Sequence, residues 1–378
     1  MNYILKYFDT DLIKFSAQDG ARPNYKILWL NKEKIELMPL GLRLTEEGIE
    51  NFIKRRNIPK NRAYVHGFLA KCGLNINRPL EIIKISKGLS LNDCYWIEEE
   101  GEGLKFKDIN LYDNKFSNIL ASIVFTGYGS SVRSSLRSSP EFTTNGMLPK
   151  CWRRIEGKIY LYKGGTFGAS NTGNEPYSEF YAYQIAEAMG INAISYHLTR
   201  WKETLCSTCE LFTSKKFSFV PVGNIVTSGG IEAVEKYYQK LGEDFYKAYG
   251  DMILLDAIIC NTDRHFGNFG FLVDNKTNTI VKPAPLFDHG NSLFNFVTED
   301  VYRNQEKFEE YVSTLVPCNY DDYFSYAKEF LDNRRRKMLR KLLEFKLKKH
   351  ARYNLNNDRL KAIEGMIRRR ASMLLEVL

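Results

Sequence analysis

Asp263, Asn268 and Asp288 stand in two short stretches, Asn261-Thr-Asp-Arg-His-Phe-Gly-Asn268 and Pro285-Leu-Phe-Asp-His-Gly290. An aspartate with an asparagine five positions on, then a second aspartate after a strand pair, suits phosphoryl transfer. In such chemistry the first carboxylate aligns an acceptor hydroxyl and takes its proton. The asparagine and the second aspartate offer hard oxygens to Mg2+ beside the phosphates of ATP. Asn, Asp and Gly are also ordinary turn residues. What lifts this group above a set of turns is their crowding, with Arg264 and His265, into one region.

The phosphates themselves need a cation held in place. Lys163 ends the strand-like run Ile159-Tyr-Leu-Tyr162 and is positioned to supply one, with Glu179 on the next helix as its natural ion-pair partner. Gly127-Tyr-Gly129-Ser-Ser131 lacks the third glycine and the Lys-Ser/Thr of a phosphate loop, and reads as a turn.

These residues must be positioned by regular elements. Thr45 is suited to cap a helix whose first turn holds Glu46 and Glu47 and whose inner face carries Ile49, Phe52 and Ile53. Pro176 to Met189 reads as a second helix, with Phe180, Ile185, Ala188 and Met189 as its buried stripe and Gly190 as its C-terminal cap. Strands are expected at 193–198 and 208–213, and a hairpin from 269–273 and 279–281 turning at Asp274-Asn275. A helix over 252–260 precedes the first aspartate, and helices dominate beyond residue 230. The pattern is an α+β, two-lobed, protein-kinase-like fold. Residues 1–107 form an N-terminal accessory domain, 108–222 a β-rich lobe and 223–378 a helical lobe.

The chain has 378 residues, too many for one ordinary core. Its start lacks the basic and apolar regions of a signal peptide, and no apolar run is long enough to span a bilayer, so a cytoplasmic protein without a membrane is expected. Seven scattered cysteines make no disulfide framework, and Cys206 and Cys209 lack a second ligand pair at zinc spacing. The net charge of +9 is local: residues 331–378 hold fifteen Lys and Arg against five Asp and Glu, leaving 39 basic and 40 acidic residues elsewhere. This tail is read as the solvated face of helices packed through Leu339, Leu342, Leu343 and Leu347. Binding of nucleic acid through it is the less favoured reading.

Taken together, Ser139-Pro-Glu-Phe-Thr-Thr-Asn-Gly146-Met-Leu-Pro-Lys150, the Lys163-Gly-Gly strand, Asn261-Thr-Asp-Arg-His and Leu286-Phe-Asp288 resemble HipA-type serine/threonine kinases over roughly residues 110–310. Those are bacterial proteins whose founding member is a toxin held by a DNA-binding antitoxin. The resemblance implies that Asp263 is the catalytic base, that Asn268 and Asp288 bind magnesium, and that Lys163 contacts ATP, with His265 beside the nucleotide. It implies that Glu210 and Phe212 form the hinge whose backbone binds adenine, and that Gly146 and Lys150 belong to the phosphate loop. It also implies autophosphorylation in that loop, with Ser138, Ser139, Thr143 and Thr144 as candidate acceptors. The loop departs from the founding toxin's at Asn145-Gly-Met-Leu-Pro-Lys150, so the acceptor stays open. A protein substrate and an antitoxin-like partner are the implied associations. Two other readings stand beside this one: a small-molecule kinase or nucleotidyl-transferring relative, and a non-catalytic scaffold acting through its basic tail.

Overall fold

The computed structural model describes residues 1–18, 24–132, 136–167 and 172–376. The chain folds into two compact units, each assembled from separated stretches. One comprises 1–163, 210–220 and 271–281; the other comprises 164–209, 221–270 and 282–378.

The first unit is built on a four-stranded antiparallel sheet in the order Asn24–Leu30, Thr10–Gln18, Asn2–Tyr7, Tyr95–Glu99. Alternating Tyr3, Leu5 and Tyr7 point one way from their strand, the period expected of a half-buried sheet. Thr45 caps the helix Glu46–Arg55 as expected, its hydroxyl accepting from the Gly48 N–H at 3.1 Å, and Ile49, Phe52 and Ile53 are buried on its inner face. The same core takes in Ile159, with Trp152 and Leu211 packed against it. It therefore extends to the antiparallel hairpin Lys150–Ile155 and Lys158–Gly164.

The expected second hairpin forms from Gly270–Asp274 and Thr279–Pro283. Its turn is not a solvated loop. Asn275 and Asn278 are buried. The Asn275 amide donates to the carbonyls of Ser214 and Lys215, and the Asn278 amide to those of Glu36 and Met38 at 2.8 Å each. Asparagine suits this turn twice over, because it tolerates the positive φ of 54° at Asn278 and can donate to neighbouring carbonyls.

In the second unit the helix Glu175–Met189 ends at Gly190 in the left-handed region, as expected. Its buried face is rotated from the expected stripe. Glu175, Glu179, Tyr181, Ala182, Ile185, Ala186 and Met189 are buried, whereas Phe180 and Ala188 are only half-buried. Two carboxylates on that inner face displaced the apolar positions from which the stripe was drawn. The next strands run His197–Trp201 and Thr204–Glu210, several residues from the expected ranges. They are joined by Lys202 and Glu203, both at positive φ, a tight hairpin turn built without the usual glycine or asparagine. Cys206 and Cys209 are three residues apart on this strand, so they point to opposite faces. None of the seven cysteines is in a disulfide.

The helix Glu243–Ile259 is buried throughout Met252–Ile259. The C-terminal helix Asn357–Leu375 packs on it, with Ile363, Ile367 and Leu374 buried and Arg370 donating to the Ala257 carbonyl. The basic tail departs from a purely solvated face. Arg335, Arg359 and Arg370 are buried and donate to backbone carbonyls, Arg335 pairing as well with Asp251 and Asp332. Arg335 reaches Phe330 and Lys247, Arg359 reaches Phe294, Asn295 and Val297, and Arg370 reaches Ala257. A guanidinium with five donors suits carbonyls stranded at loop and helix ends. Leu339 and Leu342 are buried, but Leu343 is exposed. Among the described residues, no helix is long and apolar enough to cross a membrane.

Candidate active site

In the second unit, the helix Glu243–Ile259 stops at Cys260, whose left-handed φ of 52° turns the chain out of the helix. The loop that follows is tied back to the helix. Asp256, completely buried, accepts from Arg264 Nε and Nη2 at 2.9 Å each and from Asn261 Nδ2 at 3.0 Å. The remaining Arg264 nitrogen donates to the carbonyls of Phe287 and Asn268, and Nη2 also lies 2.9 Å from His289 Nδ1. Burial opposes the Arg264 charge, but the Asp256 carboxylate outweighs it and holds the guanidinium above its ordinary pKa. One arginine thus joins the helix to both sequence stretches that carry the site.

Asp263 is half-buried at the surface of this framework. Its N–H donates to Asn261 Oδ1 at 3.2 Å, and its carbonyl accepts from Asn268 Nδ2 at 3.0 Å. Its Oδ2 accepts from Asn291 Nδ2 at 3.0 Å; among the described residues nothing hydrogen-bonds its Oδ1. Because Asn268 spends its amide nitrogen on the Asp263 carbonyl, its Oδ1 remains as a hard oxygen acceptor, the chemistry a magnesium ligand requires. His265 is exposed, and its Nδ1 accepts from the Gly267 N–H at 3.0 Å.

Asp288 has a left-handed φ of 60°, a conformation that aspartate tolerates better than most residues. Its N–H donates to Tyr196 Oη at 3.2 Å, and the following N–H, of His289, donates to Glu179 Oε2 at 2.8 Å. Tyr196 is buried near Glu179 and Asp288; burial first, then these carboxylates, push its hydroxyl far above the ordinary range. It therefore stays a neutral phenol. Glu179 was expected to pair with Lys163; within this unit its Oε2 serves as an anchor for the Asp288 segment. Gly290 packs against that helix, where a side chain would press on Glu175. Thus Glu179, Asp263, His265, Asn268 and Asp288 all belong to one unit.

Lys150, Lys163, Gly146, Glu210, Phe212 and the four hydroxyl candidates belong to the first unit. Lys150 and Lys163 face each other in register on the hairpin, and both are buried. Gly146 has a φ of 95°, and a side chain there would run into Lys150 Nζ. The glycine and lysine of the expected phosphate loop therefore meet. Arg62 fixes this loop from beneath by donating to the carbonyls of Thr144, at 2.8 Å, and Lys150. Burial pushes the Arg62 pKa down to about 10, against the pull of Glu141. Glu210 is exposed and pairs with Lys158 at 2.9 Å, while Phe212 stacks edge-on with Phe219.

The four candidate acceptors are all engaged. Ser138 donates to the Ser86 carbonyl, Ser139 to Glu141, Thr143 to the Leu89 carbonyl and Thr144 to the Pro140 carbonyl. Ser139 and Thr143 are buried, and Ser138 and Thr144 half-buried. Ser139, Thr143 and Thr144 border or bond to the short 3-10 turn Pro140–Phe142, and each hydroxyl must give up its present partner before it can be modified. Glu141 anchors that turn. It is fully buried and also accepts from the Trp152 N–H at 2.9 Å. Burial raises its pKa, although Ser139, Trp152 and Arg62 oppose the shift.

A raised folded-state value makes the neutral acid the favoured form, so its contribution to stability is complete at low pH and declines as pH rises through the raised value. Glu141→Gln removes the charge; its oxygen can still accept from the Trp152 N–H, and its NH2 can donate to the Ser139 hydroxyl, which reverses that bond. Its unfolding free energy is expected to gain on the wild type as pH rises from the ordinary glutamate range through that window. Parallel denaturant titrations at stepped pH check this, and a constant difference between the two proteins would refute it.

Sequence reasoning missed Asp256, Asn291, Tyr196 and Arg62. Asp256 had a signal: it is the one charge in Met252-Ile-Leu-Leu-Asp-Ala-Ile-Ile259, and a charge in such a run must be paired. The other three carry no local signal.

By sequence, no family model and no curated protein matches the chain. The comparison of folds is more informative. HipA of Shewanella oneidensis MR-1, solved as a toxin–antitoxin system with HipB and operator DNA, superposes with a TM-score of 0.57 at 12% identity, covering 100% of both chains. The chain has the HipA fold. The likeness to HipA covers the full length, so the shared mixed α and β architecture includes the N-terminal sheet. The Helicobacter pylori proinflammatory kinase CtkA matches over 60% of this chain and 92% of its own, with a TM-score of 0.49 and 17% identity.

Proposed function

We propose that this chain is an ATP- and Mg2+-dependent serine/threonine protein kinase of the HipA type, located in the cytoplasm. The observation that carries the reading is the state of one carboxylate. Asp263 has one oxygen engaged by Asn291 and the other open to an acceptor, on the same loop as an asparagine with an amide oxygen to spare. The HipA fold supports it.

In this reading Asp263 Oδ1 accepts the proton of the substrate hydroxyl as its oxygen bonds to the terminal phosphorus of ATP and the bond from that phosphorus to the departing ADP breaks. Lys163 and Lys150 offset the charge of the phosphates, and Gly146 lets the backbone and Lys150 approach them. Glu179 holds the Asp288 segment, and Glu210 and Phe212 flank the adenine site, with His265 near the nucleotide. Asn268 Oδ1 and the Asp288 carboxylate would hold Mg2+, which when bound supplies positive charge against the phosphates. Ser138, Ser139, Thr143 and Thr144 are the proposed sites of autophosphorylation. The parallel with HipA and HipB proposes an antitoxin-like protein partner and a toxin role. The burial of Arg335, Arg359 and Arg370 withdraws three charges from the exposed face of the tail, which weighs against the nucleic-acid scaffold reading.

Incubation with Mg2+ and ATP labelled at the γ-phosphate is expected to label protein, with mass spectrometry placing phosphate within residues 138–144. Label retained only from the α-phosphate would replace kinase by nucleotidyl transfer. Label on neither would refute phosphotransfer to protein.

A further inference from the structure

We infer that Asn291 is a positioning residue that sets which oxygen of Asp263 faces the acceptor; this rests on the phosphotransferase reading above. A carboxylate accepts but cannot donate, so the Asn291 atom 3.0 Å from Asp263 Oδ2 is its amide nitrogen. The contact is one half of a reciprocal clasp. The Asn291 carbonyl accepts from both the N–H and the hydroxyl of Thr262, at 3.0 and 3.2 Å. Two adjacent residues of the Asp263 loop therefore grip a single residue of the segment that begins at Asp288.

That segment is held firmly on its other side. His289 N–H is bound by Glu179, the Ser292 hydroxyl donates to the His289 carbonyl at 2.7 Å, and the Ser178 hydroxyl donates to the Ser292 carbonyl at 2.9 Å. Asn291 thus projects from a braced backbone, and its amide orients the carboxylate without itself reaching the reacting atoms. The carboxylate of Asp263 has no other side-chain partner among the described residues. Without Asn291 it is free to rotate, and either oxygen can turn away from the acceptor. Misalignment of a reacting group is costly in rate although the nucleotide stays bound.

The test uses the full chain with Mg2+ and γ-labelled ATP, comparing Asn291→Leu, which fills the space without a donor, with Asn291→His, which restores an N–H at similar reach. Asn291→Leu is expected to lower kcat about 10- to 100-fold with the KM for ATP changed by less than about threefold. Asn291→His is expected to recover a substantial part of the loss. Binding of a fluorescent ATP analogue and the thermal unfolding midpoint should be unchanged in both variants. Wild-type rates in Asn291→Leu, or equal losses in both variants accompanied by weakened analogue binding, would overturn the assignment. An inactive wild-type chain would overturn the phosphotransferase reading and this inference with it.

Discussion

Asp263→Asn is expected to reduce phosphoryl transfer by roughly 10³-fold, the scale of losing a positioned general base. The substitution preserves shape. The loop contacts made by the Asp263 backbone, to Asn261 and Asn268, do not depend on the carboxylate. What disappears is the proton acceptor at the half-buried Oδ1. The new amide can present its oxygen to Asn291 only by turning its nitrogen toward the substrate hydroxyl, where an NH2 can donate but cannot take the proton. Affinity for ATP should therefore survive while turnover falls. Single-turnover measurement with γ-labelled ATP, alongside equilibrium binding of the nucleotide, separates the two effects. Transfer at the wild-type rate in this variant would end the assignment of Asp263 as base.

Asp256→Ala is expected to be among the most destabilising single changes in the second unit. Arg264 lies 3% exposed and Asp256 0%, so the pair is out of reach of water. Removing one partner of such a pair costs about 3–5 kcal/mol, because the other charge remains buried and uncompensated. The damage should also reach function. Arg264 bonds the carbonyls of Phe287 and Asn268 and contacts His289, so its displacement disturbs the residues flanking both aspartates. Urea unfolding gives the direct measurement, and a loss below about 1 kcal/mol would contradict the argument. The double replacement Asp256→Leu with Arg264→Met removes both charges and should recover much of the stability while leaving transfer impaired. That dissociation would show that the arginine serves the loop and not only the core.

The same contrast separates the parts of this protein that can be read locally from those that cannot. The helix after Thr45, the helix ending at Gly190 and the hairpin turning beyond Asp274 were legible because capping, periodicity and turn chemistry act over a few residues. The strands joined by Lys202 and Glu203 were misplaced by several residues because those side chains advertise no turn, although their backbone makes one. The buried stripe of the helix Glu175–Met189 was misdrawn because Glu175 and Glu179 occupy its inner face, where apolar periodicity gives no hint of a carboxylate. Likewise, Arg335, Arg359 and Arg370 look like solvated charge in a list of residues, and only packing reveals the carbonyls they serve.

The chain alone determined the chemical types at the candidate site of the second unit: Asp263, Asn268 and Asp288, with their spacing. Tertiary structure decided how some of those groups are held. Asn291 lies 28 positions from the carboxylate it binds, Glu179 lies 110 from the N–H it accepts, and Arg62 lies 82 from the Thr144 carbonyl it supports. Nothing in the local sequence marks such partners. Their pairing arises only when folding removes both ends from water, where an unmatched charge or donor becomes too costly to leave.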